Sequence, residues 1–409
     1  MELMIYILNI IITFIFLYFF LFIRKNIDLM VTAFLGYLIY FIPLYLPGTS
    51  SFENVYYVGW GILCTLLLAT VFHDNLVKRF KVIKIVNKRD VDFTNIIVMI
   101  CAILSLGSLG IQLINYGISD FFANKQDQLR DAKLHIIFST SILLGLAFSY
   151  QMSYRKYLIL FLILLGFIFI SGDRTNIFIA FFTLLILSKK SFNFKQVINK
   201  KIVLSIIFLL FIGVFGKDVY GAVSTAYIND TSIFYAFRGR ALESDGIYSS
   251  EPYHIATILN SIIEDDFRVD STYLNDFLYH LLPNATQFTD TLHFFSNRLK
   301  STYFSDWGDS SGVGATFWGE GLALFSILGL IFFYVIYAIL LVVLNILYSK
   351  SSINFKPPIA IMGAYWATYI HRNSLFQMIS HEKKVLYIFI LIFVFSYFIN
   401  NLLSRKGMN

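Results

Sequence analysis

The chain has 409 residues, of which 57% are hydrophobic and only 14% charged, against about 25% charged in an ordinary soluble domain. That composition excludes a soluble globular protein. The formal charge of +7 falls mainly in short connections between apolar runs, which is an orientation signal rather than a face for nucleic acid. Cys64 and Cys101 both lie inside apolar runs, which excludes a disulfide framework and offers no metal-ligand spacing.

In chain order, the first apolar run, Leu3 to Ile23, lacks a basic leader and a small-residue cleavage site, and it reads as a retained helix. Spanning helices are expected at 3–23, 29–47, 55–72, 94–114, 134–150, 157–170, 176–188, 202–216, 323–348, 358–371 and 385–403. That gives about eleven, or ten to twelve if one segment is missed or re-entrant, since a bilayer core takes roughly 20 helical residues. Arg24/Lys25, six basic residues in 73–92, Arg155/Lys156, five in 189–201, Lys350/Lys356 and Arg405/Lys406 share one side with four acids. The other side holds 13 basic and 21 acidic residues. Positive residues mark the cytoplasm, so the N-terminus is expected outside and the C-terminus inside.

The outer side carries one large connection, residues 217–312. Within it, Ile255, Ile258, Leu259, Ile262 and Ile263 follow helical spacing and predict an amphipathic helix over Tyr253–Asp266. Similar character in Thr272–Leu282 and Thr286–Leu299 predicts further short helices. The expected organisation is residues 1–216 as membrane helices, 217–312 as the external loop, and 313–409 as three more membrane helices. All three form one integral membrane domain.

Two truncated helices carry the chemistry. The stretch from Tyr157 to Lys190 is bounded by Arg155/Lys156 and Lys189/Lys190, so both ends belong in the cytoplasm and the chain reverses near Gly172-Asp173-Arg174. Each arm is 13 or 14 residues, about 20 Å, against a core of about 30 Å. Arg174 is therefore expected below the outer surface. The apolar run from Lys356 also stops after about 14 residues, at His371-Arg372. An intramembrane arginine is costly and reads as functional, with an anionic partner, or else as a side chain that snorkels to the interface or, for Arg174, pairs with neighbouring Asp173. Two guanidinium groups opening into one outward cavity would suit a diphosphate, whose oxygens match their forked donors.

Further candidates follow from residue type. The loop ends in Asp306-Trp307-Gly308-Asp309-Ser310-Ser311-Gly312, followed by Trp318-Gly319-Glu320, where glycines allow close backbone approach and tryptophans offer surfaces for sugar rings. Glu320 reads either as a general base or as a carboxylate suited to a helix N-terminus. Arg238 and Arg240 read either as substrate-binding residues or as an ordinary solvated helix face. The general base stays open among Glu320, His371, Asp309 and His254.

At these residues the chain resembles the Wzy-type O-antigen and capsule repeat-unit polymerases. The shared features are Gly172-Asp173-Arg174 between two short helices, one large external loop, and Ser310-Ser311 before a Gly-rich turn with Glu320. Arg372-Asn373-Ser374 completes the likeness. The resemblance implies an all-α, polytopic glycosyltransferase of GT-C-like layout in a bacterial cytoplasmic membrane. It would join undecaprenyl-diphosphate-linked oligosaccharide donors and acceptors, without cofactor or metal, beside membrane lipids and a chain-length regulator protein. By the same resemblance Arg174 and Arg372 stabilise the departing diphosphate with Arg240 assisting. Arg238, Asp173, Asp309 and Trp318 are further candidates for substrate contact. An O-antigen ligase and a lipid-linked oligosaccharide flippase are the rival readings.

Overall fold

The computed structural model describes residues 2–24, 27–45, 52–79, 88–123, 133–170, 173–188, 219, 221–223, 225–226, 231–243, 251–270, 272–273, 295–303, 314 and 316–406. Among these residues the long elements are all helices, and none is a strand. They are α1 (Glu2–Tyr18, extended by a π-helical turn Phe19–Ile23), α2 (Leu29–Phe41, extended by a 3-10 turn Ile42–Tyr45), α3 (Glu53–Arg79), α4 (Lys88–Ala123) and α5 (Lys133–Gln151). Next come α6 (Arg155–Ile170), α7 (Thr175–Ser188), α8 (Ile233–Glu243), α9 (Glu251–Glu264) and α10 (Phe295–Tyr303). Last are α11 (Phe317–Lys350), α12 (Lys356–Thr368, extended by a 3-10 turn Tyr369–His371) and α13 (Leu375–Lys406).

Five apolar stretches among the described residues are long enough to cross a membrane: Asn54–Leu76, Asp92–Asn115, Leu134–Gln151, Phe317–Lys350 and Leu375–Leu403. Helices suit that setting because each satisfies its own backbone hydrogen bonds where no water is present. Their outer faces carry exposed Ile103, Ile114, Leu328, Phe395 and Leu402, as lipid-facing surfaces do. The predicted span at 202–216 lies outside the described residues.

The truncated pair is present as read. Helices α6 and α7 have 16 and 14 residues, about 24 and 21 Å, and both fall short of a 30 Å core. By contrast, the span predicted to begin at 323 is not one continuous helix. Phe325 and Ser326 break α11, with Ser326 at φ 57°. The segment 317–324 folds back on 327–350, so the ring of Phe317 lies 4.4 Å from that of Phe333, and Trp318 lies 5.3 Å from both Tyr334 and Tyr337. Two glycines permit this hairpin. A Cβ on Gly329 would stand 2.0 Å from the Gly321 carbonyl oxygen, so the two backbones touch where they cross.

The chain divides into two compact units built from interleaved stretches. The first comprises Met1–Arg79, Ile247–Val343 and Tyr365–Glu382, and the second Phe80–Gly246, Leu344–Ala364 and Lys383–Asn409. The boundary between the two units at Gly246/Ile247 falls within the large connection.

In the first unit, α2 approaches the end of α12 so closely that a Cβ on Gly36 would lie 2.4 Å from the Ala367 carbonyl oxygen. The predicted amphipathic face of α9 is real: Ile255, Ile258, Leu259 and Ile262 are buried. Ile258 and Ile262 pack with Tyr273, Phe295, Leu299 and Ala323. The short half of α11 ends against this cluster. Its Ala323 carbonyl accepts the Val269 N–H at 3.1 Å and its Leu322 carbonyl accepts Arg268 Nη1 at 2.5 Å, which satisfies acceptors that a helix end leaves open.

Helix α13 starts ten residues before its predicted span, at a capping box. Ser374 Oγ accepts the Gln377 N–H at 3.4 Å, and Gln377 Oε1 accepts the Ser374 N–H at 3.3 Å. Ser374→Ala is expected to cost about 0.5–2 kcal/mol, read as a lower Tm in detergent. An unchanged Tm would remove the cap from the account.

In the second unit α5 packs against α4, α6 and α7 through a buried stripe that includes Phe138, Ile142 and Phe148. Thr94 Oγ1 donates to Asn354 Oδ1 at 2.6 Å, Gln151 Nε2 donates to the Ile353 carbonyl at 3.1 Å, and Tyr348 donates to the Ile186 carbonyl at 3.2 Å.

Candidate functional site

Arg372 follows the 3-10 turn that ends α12, and its backbone N–H donates to the Tyr369 carbonyl at 3.1 Å. Its guanidinium lies 5.3 Å from the centre of the Tyr369 ring. Its Nε stands 2.8 Å from Glu251 Oε1, and Glu251 begins α9 in the large connection 217–312. Arg372 is thus paired with a carboxylate of the chain itself, at the start of the helix that the amphipathic pattern marks. Gly314, near the end of the Gly-rich segment, approaches the same arginine, since a Cβ there would lie 3.8 Å from Arg372 Cγ.

His371 is fully buried beside it. Trp318 Nε1–H donates to His371 Nδ1 at 3.1 Å, and the rings of Tyr37, Tyr40, Phe41, Trp318 and Tyr337 surround the imidazole with centroids 5.7–6.4 Å away. Because Nδ1 accepts, the neutral ring carries its proton on Nε2, which is buried without a hydrogen-bond partner. Neither nitrogen of the neutral ring then offers a lone pair to a substrate hydroxyl. Trp318, predicted as a sugar-stacking surface, is wholly buried in the same cluster. Its indole holds the histidine in place.

Glu320 lies on the short half of α11 and is buried. Its Oε1 accepts the Tyr273 hydroxyl, and its Oε2 accepts the Leu375 N–H at 2.6 Å. The carboxyl therefore serves a helix N-terminus, as one of its two predicted roles had it, but the helix is α13 rather than its own. Tyr273 is flanked by Arg298, whose guanidinium is 5.6 Å from the ring centre and donates to Asp270 Oδ1 at 2.6 Å and Thr272 Oγ1 at 2.8 Å. Hydrogen bonds from Thr272 and Arg298 hold the Asp270 carboxyl below its ordinary value.

The second unit holds the other predicted cation. Asp173 Oδ1 accepts the Thr175 N–H at 3.1 Å and Oδ2 accepts Asn176 Nδ2 at 2.6 Å, so this carboxylate fixes the start of α7. Arg174 sits between them, half-buried, and its carbonyl accepts the Ile177 N–H at 3.1 Å. His135, which sequence reasoning did not single out, is buried with its Nε2 3.8 Å from Asp173 Oδ2, and neither of its ring nitrogens has a hydrogen-bond partner.

No family model, curated protein or solved structure matches this chain.

The remaining candidates are placed less closely. Arg238 is exposed on α8, and Arg240 lies in the same helix with its side chain outside the description. His254 is exposed on α9, and Asp309 lies outside the described residues. The structure thus brings Arg372, His371, Trp318 and Glu320 into one unit, and Asp173 and Arg174 into the other. Sequence reasoning missed Glu251, Tyr273 and His135. Glu251 had a signal, an acidic residue opening an amphipathic helix, while the other two are joined to the site only by folding.

Proposed function

We propose that this protein polymerises undecaprenyl-diphosphate-linked oligosaccharide repeats on the outer face of a bacterial cytoplasmic membrane, as a multi-pass GT-C-like glycosyltransferase. The reading is carried by Arg372, an arginine at the end of a truncated apolar helix, held at 2.8 Å by Glu251 of the external loop. The carboxylate orients the guanidinium before substrate arrives, and preorganised donors aimed at developing charge are the strongest means of stabilising a transition state. In the reaction an acceptor hydroxyl attacks the donor's anomeric carbon. Its proton passes to a base, and the bond to the diphosphate breaks with the electron pair leaving on phosphate oxygen. Arg372 meets that charge. Arg174, on a short helix pair in the second unit, is assigned the same chemistry, and a chain-length regulator protein is the expected partner.

The interrupted α11 also favours a second reading, because broken helices are common at the binding sites of transporters. Deleting the gene separates the readings. Loss of a polymerase leaves single repeats on the carrier lipid or at the cell surface, and purified protein then builds polymer from lipid-linked repeats. Single repeats trapped inside the cell would indicate a flippase, and finished polymer left on its carrier lipid would indicate a ligase.

A further inference from the structure

We infer that Tyr273, acting through Glu320, is a positioning residue for Arg372. The inference rests on the polymerase reading and adds to it a mechanical role for the external loop. Leu375 is the first residue of α13 and lies three positions after Arg372. Its N–H is one of the four that a helix start leaves without an intrahelical acceptor, and Glu320 Oε2 supplies that acceptor at 2.6 Å. A carboxylate there also meets the positive end of the helix dipole. On the other side, Arg372 is tied back by its N–H to the Tyr369 carbonyl at 3.1 Å. The short bend that carries the arginine is therefore pinned at both ends, and one of the pins is a side chain 55 residues earlier in the chain.

Tyr273 holds that pin. Its hydroxyl donates to the second oxygen of the same carboxyl, and its ring is buried against Phe295, 6.1 Å between centroids. Arg298 covers the ring and ties it to Asp270 and Thr272. Tyr273, Phe295 and Arg298 all belong to the external loop. The packing of that loop thus reaches Arg372 through two hydrogen bonds on one carboxyl group. A positioning role and a proton-accepting role for Glu320 make opposite demands. Glutamine keeps an oxygen to accept from Leu375 and an N–H to donate to the Tyr273 oxygen, but it cannot act as a base at neutral pH.

The test is steady-state polymerisation by the purified full-length protein with lipid-linked repeats as substrate. Tyr273→Phe is expected to lower kcat about tenfold, roughly what one hydrogen bond is worth. KM should stay within about twofold, because Arg372 acts on charge that develops only in the transition state. Glu320→Gln is expected to keep most of the activity, and Glu320→Ala to lose it. In an Arg372→Lys background, Tyr273→Phe should add little further loss, since both changes act through one group. The inference is overturned if Tyr273→Phe has the wild-type kcat, if the two losses multiply, or if Glu320→Gln loses about 100-fold or more. Should Tyr273→Phe not accumulate, the contrast between Glu320→Gln and Glu320→Ala decides alone. Absence of polymer from the wild-type protein would sink the polymerase reading, whereas normal polymer from Arg372→Lys and Arg372→Ala would remove the role of Arg372 and this inference with it. A defect in those variants beside a normal Tyr273→Phe would overturn the inference only.

Discussion

Arg372→Ala is expected to cut the rate of repeat joining by about 100-fold or more at a normal level of protein. In the proposed reaction the leaving diphosphate gains negative charge in the transition state, and removal of one preorganised donor from such a site costs about 10²–10³ in kcat. The substitution should harm folding far less. The ion pair with Glu251 is only partly buried, with side chains 26% and 22% exposed, and pairs of that kind contribute about 0–1 kcal/mol. Arg372→Lys keeps the charge but loses the planar fork, so it should fall between alanine and wild type. The readout is the length distribution of lipid-linked glycans on a gel, beside the protein level in the membrane. A normal ladder from Arg372→Ala would remove the diphosphate clamp from the mechanism. Arg174→Ala is expected to behave in the same way, because its cation also sits at the end of a helix too short to span.

Gly329→Ala is expected to cause a large loss of stability. The new Cβ would stand 2.0 Å from the Gly321 carbonyl oxygen and 3.1 Å from its carbonyl carbon. Both are backbone atoms of the opposing arm, so the hairpin has to open rather than let a flexible side chain move aside. Overpacking of this kind costs about 1–3 kcal/mol. Opening the hairpin would also shift Glu320 away from Leu375. A Cβ on Gly166, in contrast, meets nothing within 4 Å, and Gly166→Ala should be neutral or gain about 0.5–1 kcal/mol from the better helix former. Thermal unfolding in detergent compares the two variants directly. Equal Tm values would mean that the arms of α11 do not cross at these glycines.

Much of the helical plan could be read from residue order, because apolar runs bounded by basic pairs fix where short helices begin and end. The pair α6 and α7, with Asp173 and Arg174 between them, follows from that rule alone. So does the buried face of α9, whose isoleucines recur at helical spacing. The break in α11 could not be read that way. Leu322 to Leu328 is an uninterrupted run apart from Ser326, with no proline to stop a helix, and hydropathy scores it as membrane-spanning throughout. Gly321 and Gly329 were its only trace, and two glycines eight residues apart mean nothing until the chain is seen to fold back between them. The partners of the site residues were hidden for a different reason. Glu251 lies 121 positions from Arg372, and Tyr273 lies 47 from Glu320. No local pattern links side chains across such intervals. For Glu320, residue type suggested both a base and a capping group, and only the positions of Tyr273 and Leu375 show what its two oxygens touch.

The interleaving of the two units has a consequence for biosynthesis. Residues 1–79 belong with segments that start only at 247, so α1 to α3 leave the ribosome well before the chain that completes their unit. At about 5–20 residues per second the wait is on the order of ten to thirty seconds. Throughout that interval Tyr37, Tyr40 and Phe41 of α2 lack His371, against which their rings later pack. The early helices therefore need a temporary host, whether the insertion machinery or bound lipid, and newly made protein should be most vulnerable to degradation while that host is in use.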